Sequence, residues 1–155
     1  MPFSDSIMAR LQYQHQTISE LTKNFPEEQL KQRINPDKWS VFENIVHLCA
    51  YQPTFIRRIE RMLKEDNPLF ERYVAENDNL FYEYFKLSLP ELTLNTNKDR
   101  SIIFSKLQGL TDIQLSHTGR HPKYGALNIS QWADFFLLHE AHHLWTMALL
   151  CYSLR

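Results

Sequence analysis

Only three glycines occur in this chain of 155 residues. Glycine supplies the positive-φ backbone of tight hairpins and the close backbone approach of phosphate-cradling loops. A chain so poor in it is expected to be helical, and it contains neither a G-x-G-x-x-G run nor a P-loop. The length suits one domain with a substantial core, so residues 1–155 are read as a single unit. Seventeen Lys and Arg stand against 18 Asp and Glu, a formal net charge of −1. That balance provides no general attraction to nucleic acid or to an anionic membrane surface. No apolar run reaches the roughly 18 residues of a membrane span. The start, Met1-Pro2-Phe3-Ser4-Asp5, has neither the basic residues nor the apolar run of a signal peptide. Cys49 and Cys151 lie in apolar helical contexts and suggest no disulfide, so the expected compartment is a reducing cytoplasm.

Four helical patterns are expected. The first runs from Ser6 to Phe25, with Ile7, Leu11, Ile18, Leu21 and Phe25 on one stripe and Pro26 ending it. A polar linker, Glu27 to Lys38, leads to a second helix that Ser40 and Glu43 open with a capping box. Val41, Asn44, Ile45, Leu48, Phe55, Ile59 and Met62 share its buried face, and Pro53 should bend or break it. Residues 66–97 read as a long crossover. The third helix is expected over Lys98–Leu110. A loop at Thr111–Leu127 precedes the fourth helix, capped by Asn128 and Gln131. Its inward stripe contains Ile129, Trp132, Phe136, His139, His143, Met147 and Leu150. The fold class is therefore all-α, a four-helix bundle with its long crossover between helices 2 and 3.

The inward stripe of the fourth helix carries an unusual set of polar groups. His139-Glu140-Ala141-His142-His143 places three imidazoles and a carboxylate in five residues. His139 and His143 lie one turn apart and only about 40° apart around the axis. Burying an unpaired polar ring costs roughly 1–3 kcal/mol, and a shared divalent ion relieves two such rings together. Two imidazoles rarely suffice for tight binding, and the twelve residues after His143 contain no His, Asp or Glu. A third ligand must come from upstream, and His47 on the capped second helix is the best candidate, although it lies at the edge of that helix's apolar stripe.

At these positions the chain resembles the DinB-like superfamily of four-helix-bundle metalloenzymes. The resemblance rests on Lys38-Trp39-Ser40 leading into His47-Leu48, on Asp99-Arg100, on His121-Pro122-Lys123-Tyr124-Gly125, and on His139-Glu140-Ala141-His142-His143-Leu144. It implies that His47, His139 and His143 bind one divalent metal, zinc or nickel above all, in a protein that is often a homodimer. It also implies kinship with transferases that use a low-molecular-weight thiol such as bacillithiol or mycothiol. The family commonly carries acidic residues three and five positions after the first ligand, where this chain has Ala50 and Gln52. Carboxylates near a ligating imidazole orient it and raise its basicity, so their loss bears on activity more than on metal binding.

The leading expectation is a metal-dependent transferase that activates a small thiol for reaction with a small-molecule substrate. The alternative is a metal-dependent hydrolase with Glu140 as general base, since His139-Glu140-x-x-His143 spells the metallopeptidase signature. A non-catalytic dimeric metal-binding protein is the third reading. Arg100 and Arg120 are read as surface ion-pair residues that could also bind an anion, His121 as a structural or solvated loop residue that could approach the metal mouth, and Trp132, Phe135, Phe136 and Trp145 as core.

Overall fold

The computed structural model describes residues 3–155; Met1 and Pro2, part of the segment read above for a signal peptide, lie outside it. The expected first helix is divided into α1 (Asp5–Tyr13), a 3-10 turn (Gln14–Gln16) and α2 (Thr17–Thr22). The polar linker contains a single turn, α3 (Glu27–Leu30), whose Leu30 is fully buried. Then comes α4 (Val41–Lys64), opened as expected by Ser40. Ser40 Oγ accepts from Glu43 N at 3.1 Å, and Ser40 N donates to Glu43 Oε2 at 2.7 Å. α4 continues through Pro53 rather than breaking there. Only one backbone donor is missing, and the packed faces on either side hold the turn together.

The crossover contains a short helix, α5 (Asn79–Tyr84). The next long helix, α6 (Leu89–Gln108), begins nine residues before the expected Lys98. The overlooked start signal is Ser88-Leu89-Pro90-Glu91: proline in the first turn, and Ser88 N donating to Glu91 Oε2 at 2.8 Å. A single turn, α7 (Asp112–Leu115), follows. The expected loop then proves to contain an antiparallel hairpin, β1 (Thr118–His121) and β2 (Gly125–Asn128). Two of the three glycines build it. Gly125, at φ +76°, follows the three-residue turn where positive φ is required. Gly119 lies against Phe70 and Met62, and a Cβ there would come within 2.9 Å of the Met62 sulfur. α8 (Ile129–Ser153) closes the bundle, with Gln131 N donating to Asn128 Oδ1 at 2.9 Å.

The chain is thus mostly helical, with four-helix-bundle architecture: α4 packs against α6 and α8, and α1 packs against the same two helices. The centre is held by a buried ion pair. Arg100 on α6 and Glu140 on α8 are 2% exposed each, and Arg100 Nη2 donates to Glu140 Oε2. Arg100 Nε also donates to Gln52 Oε1 of α4 at 3.1 Å, and Gln14 Nε2 donates to Glu140 Oε1 at 2.9 Å. This corrects the reading of Arg100 as a surface residue: an isolated guanidinium at this depth would be prohibitive, and Glu140 neutralises it. Trp132 and Phe136 are core as expected, whereas Trp145 is 60% exposed.

Removing one partner of such a pair strands the other charge. Glu140→Gln is expected to cost roughly 3 kcal/mol in urea unfolding, while the double replacement Arg100→Met with Glu140→Leu costs much less. Equal losses in the two proteins would contradict this account.

Candidate metal centre

His47 comes from the first half of α4, and His139 and His143 come from successive turns of α8. Each offers one ring nitrogen, and these three atoms lie within 4.8 Å of one another; the Nε2 atoms of His47 and His139 are 3.0 Å apart. His47 lay at the edge of its helix's apolar stripe in the sequence, yet it is only 5% exposed because α8 covers that edge.

The second nitrogen of each ring is treated differently. His143 Nδ1 is 2.8 Å from Asn44 Oδ1. Asn44 Nδ2 in turn donates to the carbonyl of the capping residue Ser40 at 2.8 Å. With its amide group used in that way, Asn44 presents its oxygen to His143, which must therefore carry its proton on Nδ1 and leave the Nε2 lone pair free. Asn44 is a supporting residue that the sequence reading placed on the buried face without a role. Its position one turn before His47 was the available signal. His47 Nδ1 and His139 Nδ1 are buried and have no hydrogen-bond partner among the described residues. The missing acidic residues after His47 thus have a structural counterpart, since no carboxylate receives its second nitrogen.

The donor set fits a divalent ion. Without one, the facing Nε2 atoms of His47 and His139 satisfy each other only if one is protonated. A cation accepts both lone pairs at once. Burial, followed by neighbouring imidazoles, lowers the His47 pKa to about 2 and the His143 pKa to about 3. Burial, then His142 and Arg58, lowers that of His139 to about 4. All three rings are consequently neutral at physiological pH, the state a metal requires.

Aromatic rings surround the cluster. Trp39 lies 5.1 Å from His47 between ring centroids, Tyr73 lies 5.6 Å from His47, and Tyr51 lies 4.9 Å from His139. A cavity of about 410 Å³ reaches His47 and His139 between Tyr51, Tyr73 and the hairpin turn. His121 lines it, and its Nδ1 accepts from the backbone of Lys123 at 3.1 Å. Glu140, the general base of the hydrolase alternative, does not line this cavity; it points onto Arg100 and Gln14 instead. One residue of offset rotates a side chain about 100° around a helix, which separates Glu140 from its neighbour His139. His142 is exposed, and Arg120 is exposed on β1.

The protein is similar to a relative named Putative metal-dependent hydrolase OB0782, from Oceanobacillus iheyensis. The two are 26% identical over 126 residues, which make up 80% of this chain and 72% of the relative. Its fold is similar to that of YfiT from Bacillus subtilis, described as a probable metal-dependent hydrolase with an unusual four-helix bundle topology. That match has a TM-score of 0.81 at 16% identity, covering 96% of this chain and 86% of YfiT. TT2238, a four-helix bundle protein, matches with a TM-score of 0.68 at 19% identity, over 94% of this chain and 98% of its own. These structural likenesses speak for the fold. The family model itself matches residues 10–147, a span that includes all three clustered imidazoles, and the chain belongs to the DinB superfamily.

Proposed function

We propose that this protein is a divalent-metal-dependent enzyme acting on a small molecule, with His47, His139 and His143 as the metal ligands and a low-molecular-weight thiol as the nucleophile it activates. The convergence of three neutral imidazoles beside an open cavity carries this reading. Zinc and nickel both suit an all-imidazole set. A divalent ion held there supplies Lewis acidity, lowering the pKa of a thiol or water toward neutrality.

The chain's own residues favour the thiol. No Asp or Glu lines the cavity, and Glu140 is committed to Arg100. A nucleophile that ionises readily needs no carboxylate base, and a thiol with a pKa near 8.5 is such a nucleophile. Cys49 and Cys151 are both buried, and burial raises each thiol's pKa, so the thiol comes from a cosubstrate. Asn44 holds the His143 ring, and Trp39, Tyr51 and Tyr73 wall the cluster from bulk water. Hydrolysis is the second reading, favoured by the names of OB0782 and YfiT. It would proceed without Glu140 as base.

Among the described residues no helix is long and apolar enough to cross a membrane. The unpaired cysteines suit the cytoplasm, and we take the chain to act as one domain. We also propose a homodimer. Leu138, Trp145, Leu149 and Tyr152 form an exposed apolar stripe along α8, spaced to meet a second copy. Light scattering should give twice the chain mass for the parent and a monomer for Trp145→Lys; a monomeric parent would end this part of the reading.

Elemental analysis of the purified protein tests the centre. A stoichiometric divalent ion is expected in the parent and its loss in His47→Ala and His143→Ala. Metal retained by His47→Ala would remove that ligand. The loaded protein should consume a small thiol in the presence of an alkyl halide; turnover that ignores added thiol would favour hydrolysis instead.

Stability of the metal-free protein should depend on pH. The three clustered rings and His15, which burial above all lowers to about 4, stay neutral in the folded state while the unfolded chain protonates near 6.5. The unfolded state then binds more protons, so stability falls as pH drops below 6.5. The slope approaches about 1.4 kcal/mol per pH unit for each ring. Urea midpoints measured between pH 7 and pH 5 check this, and a flat profile would refute it.

A further inference from the structure

The chain buries two arginines, and it treats them differently. Arg100 is neutralised by Glu140. Arg58, 7% exposed, makes no ion pair with a carboxylate among the described residues. Its Nη1 donates to the Tyr51 hydroxyl at 3.0 Å and its Nη2 to the Glu71 carbonyl at 2.8 Å. Its guanidinium lies 5.4 Å from the Phe70 ring centroid and 5.2 Å from that of Trp132. Rings and neutral oxygens solvate the cation in part, but they supply no counter-charge.

What separates Arg58 from Arg100 is the cavity. Arg58 lines the space that reaches His47 and His139, together with Arg72 and Lys123. Neither of these forms an ion pair among the described residues; both are exposed at the outer part of the cavity, Lys123 on the hairpin turn. Three cations therefore converge on a space with no acidic lining residue, in a protein of net charge −1. Glu71 and Asp78 border the far side of the Arg58 and Arg72 wall but do not line this cavity; Asp78 Oδ2 accepts from the Tyr73 hydroxyl at 2.9 Å. A lining with three cations and no carboxylate favours negative charge inside it. The volume of about 410 Å³ fits a small metabolite, and the aromatic walls of Tyr51, Tyr73 and Phe135 suit its carbon skeleton.

We propose that the cavity binds a small organic anion, a carboxylate or a phosphate, whose charge is met by Arg58, Arg72 and Lys123. The placement of its reacting group at the imidazole cluster rests on the metal-centre reading above; the anion site itself does not.

Calorimetric titration of the full chain, metal-free and at low salt, with succinate, inorganic phosphate and the neutral diamide succinamide tests the proposal. At least one anion should bind about tenfold more tightly than succinamide. Preference for succinate alone or for phosphate alone identifies the anionic group. In the double variant Arg72→Gln with Lys123→Gln, at solvent-exposed positions, the preference should fall to within about threefold. Anions bound no better than succinamide, or a tenfold preference that survives in the variant, would overturn it. Because the titration needs no metal, a protein that takes up no ion would sink the metal-centre reading and leave this result to stand or fall alone.

Discussion

The Arg100–Glu140 pair sets the rotation of the last helix, and the site depends on that rotation. Glu140 is drawn to the α6 side by Arg100 and to the α1 side by Gln14. Its neighbour His139 and the residue one turn later, His143, then point toward α4 and meet His47. A helix turned by one residue would exchange their faces, placing a carboxylate beside His47 and stranding Arg100 in the core. Gln52 extends the arrangement to α4, accepting from Arg100 Nε while donating to the Thr96 carbonyl at 3.3 Å. One buried charge pair thus ties the helices together and aims the imidazoles.

The site gains support from hydrogen bonding at one ring only. Asn44 links His143 to the capped start of α4, so the capping box that begins the helix also orients one of the three imidazoles. His47 and His139 rely on packing, between Trp39, Tyr51 and Tyr73, instead of a carboxylate partner. Neutral rings held by aromatic walls still offer lone pairs. They lack the extra basicity that an acidic partner lends.

Much of the frame was legible along the chain. The capping boxes at Ser40 and Asn128 are local hydrogen-bond chemistry, and both helices start where those residues stand. The start of α6 was equally local, but Pro90 reads as a breaker until Ser88 and Glu91 are seen to place it in a first turn. The hairpin was obscured because a low glycine count was taken to argue against any turn that needs one, although a single hairpin uses only Gly119 and Gly125. The 3-10 interruption at Gln14–Gln16 had no sequence signal; there Gln14 reaches the Leu137 carbonyl as well as Glu140, contacts made only across the bundle.

Spacing along the helix was sufficient to pair His139 with His143, because residues four apart share a face whatever surrounds them. Local pattern likewise marked four helical segments and their caps. The tertiary structure decided the rest. It covered the edge position of His47, took Glu140 away from the imidazole cluster, buried Arg100 and left Arg58 facing a cavity with no carboxylate partner among the described residues. Those outcomes turn on which helix lies against which, a relation between residues far apart along the chain: 92 positions for His47 and His139, and 126 for Gln14 and Glu140. Helical periodicity reports the direction of a side chain from its own axis; what it meets there is set by the neighbouring helix.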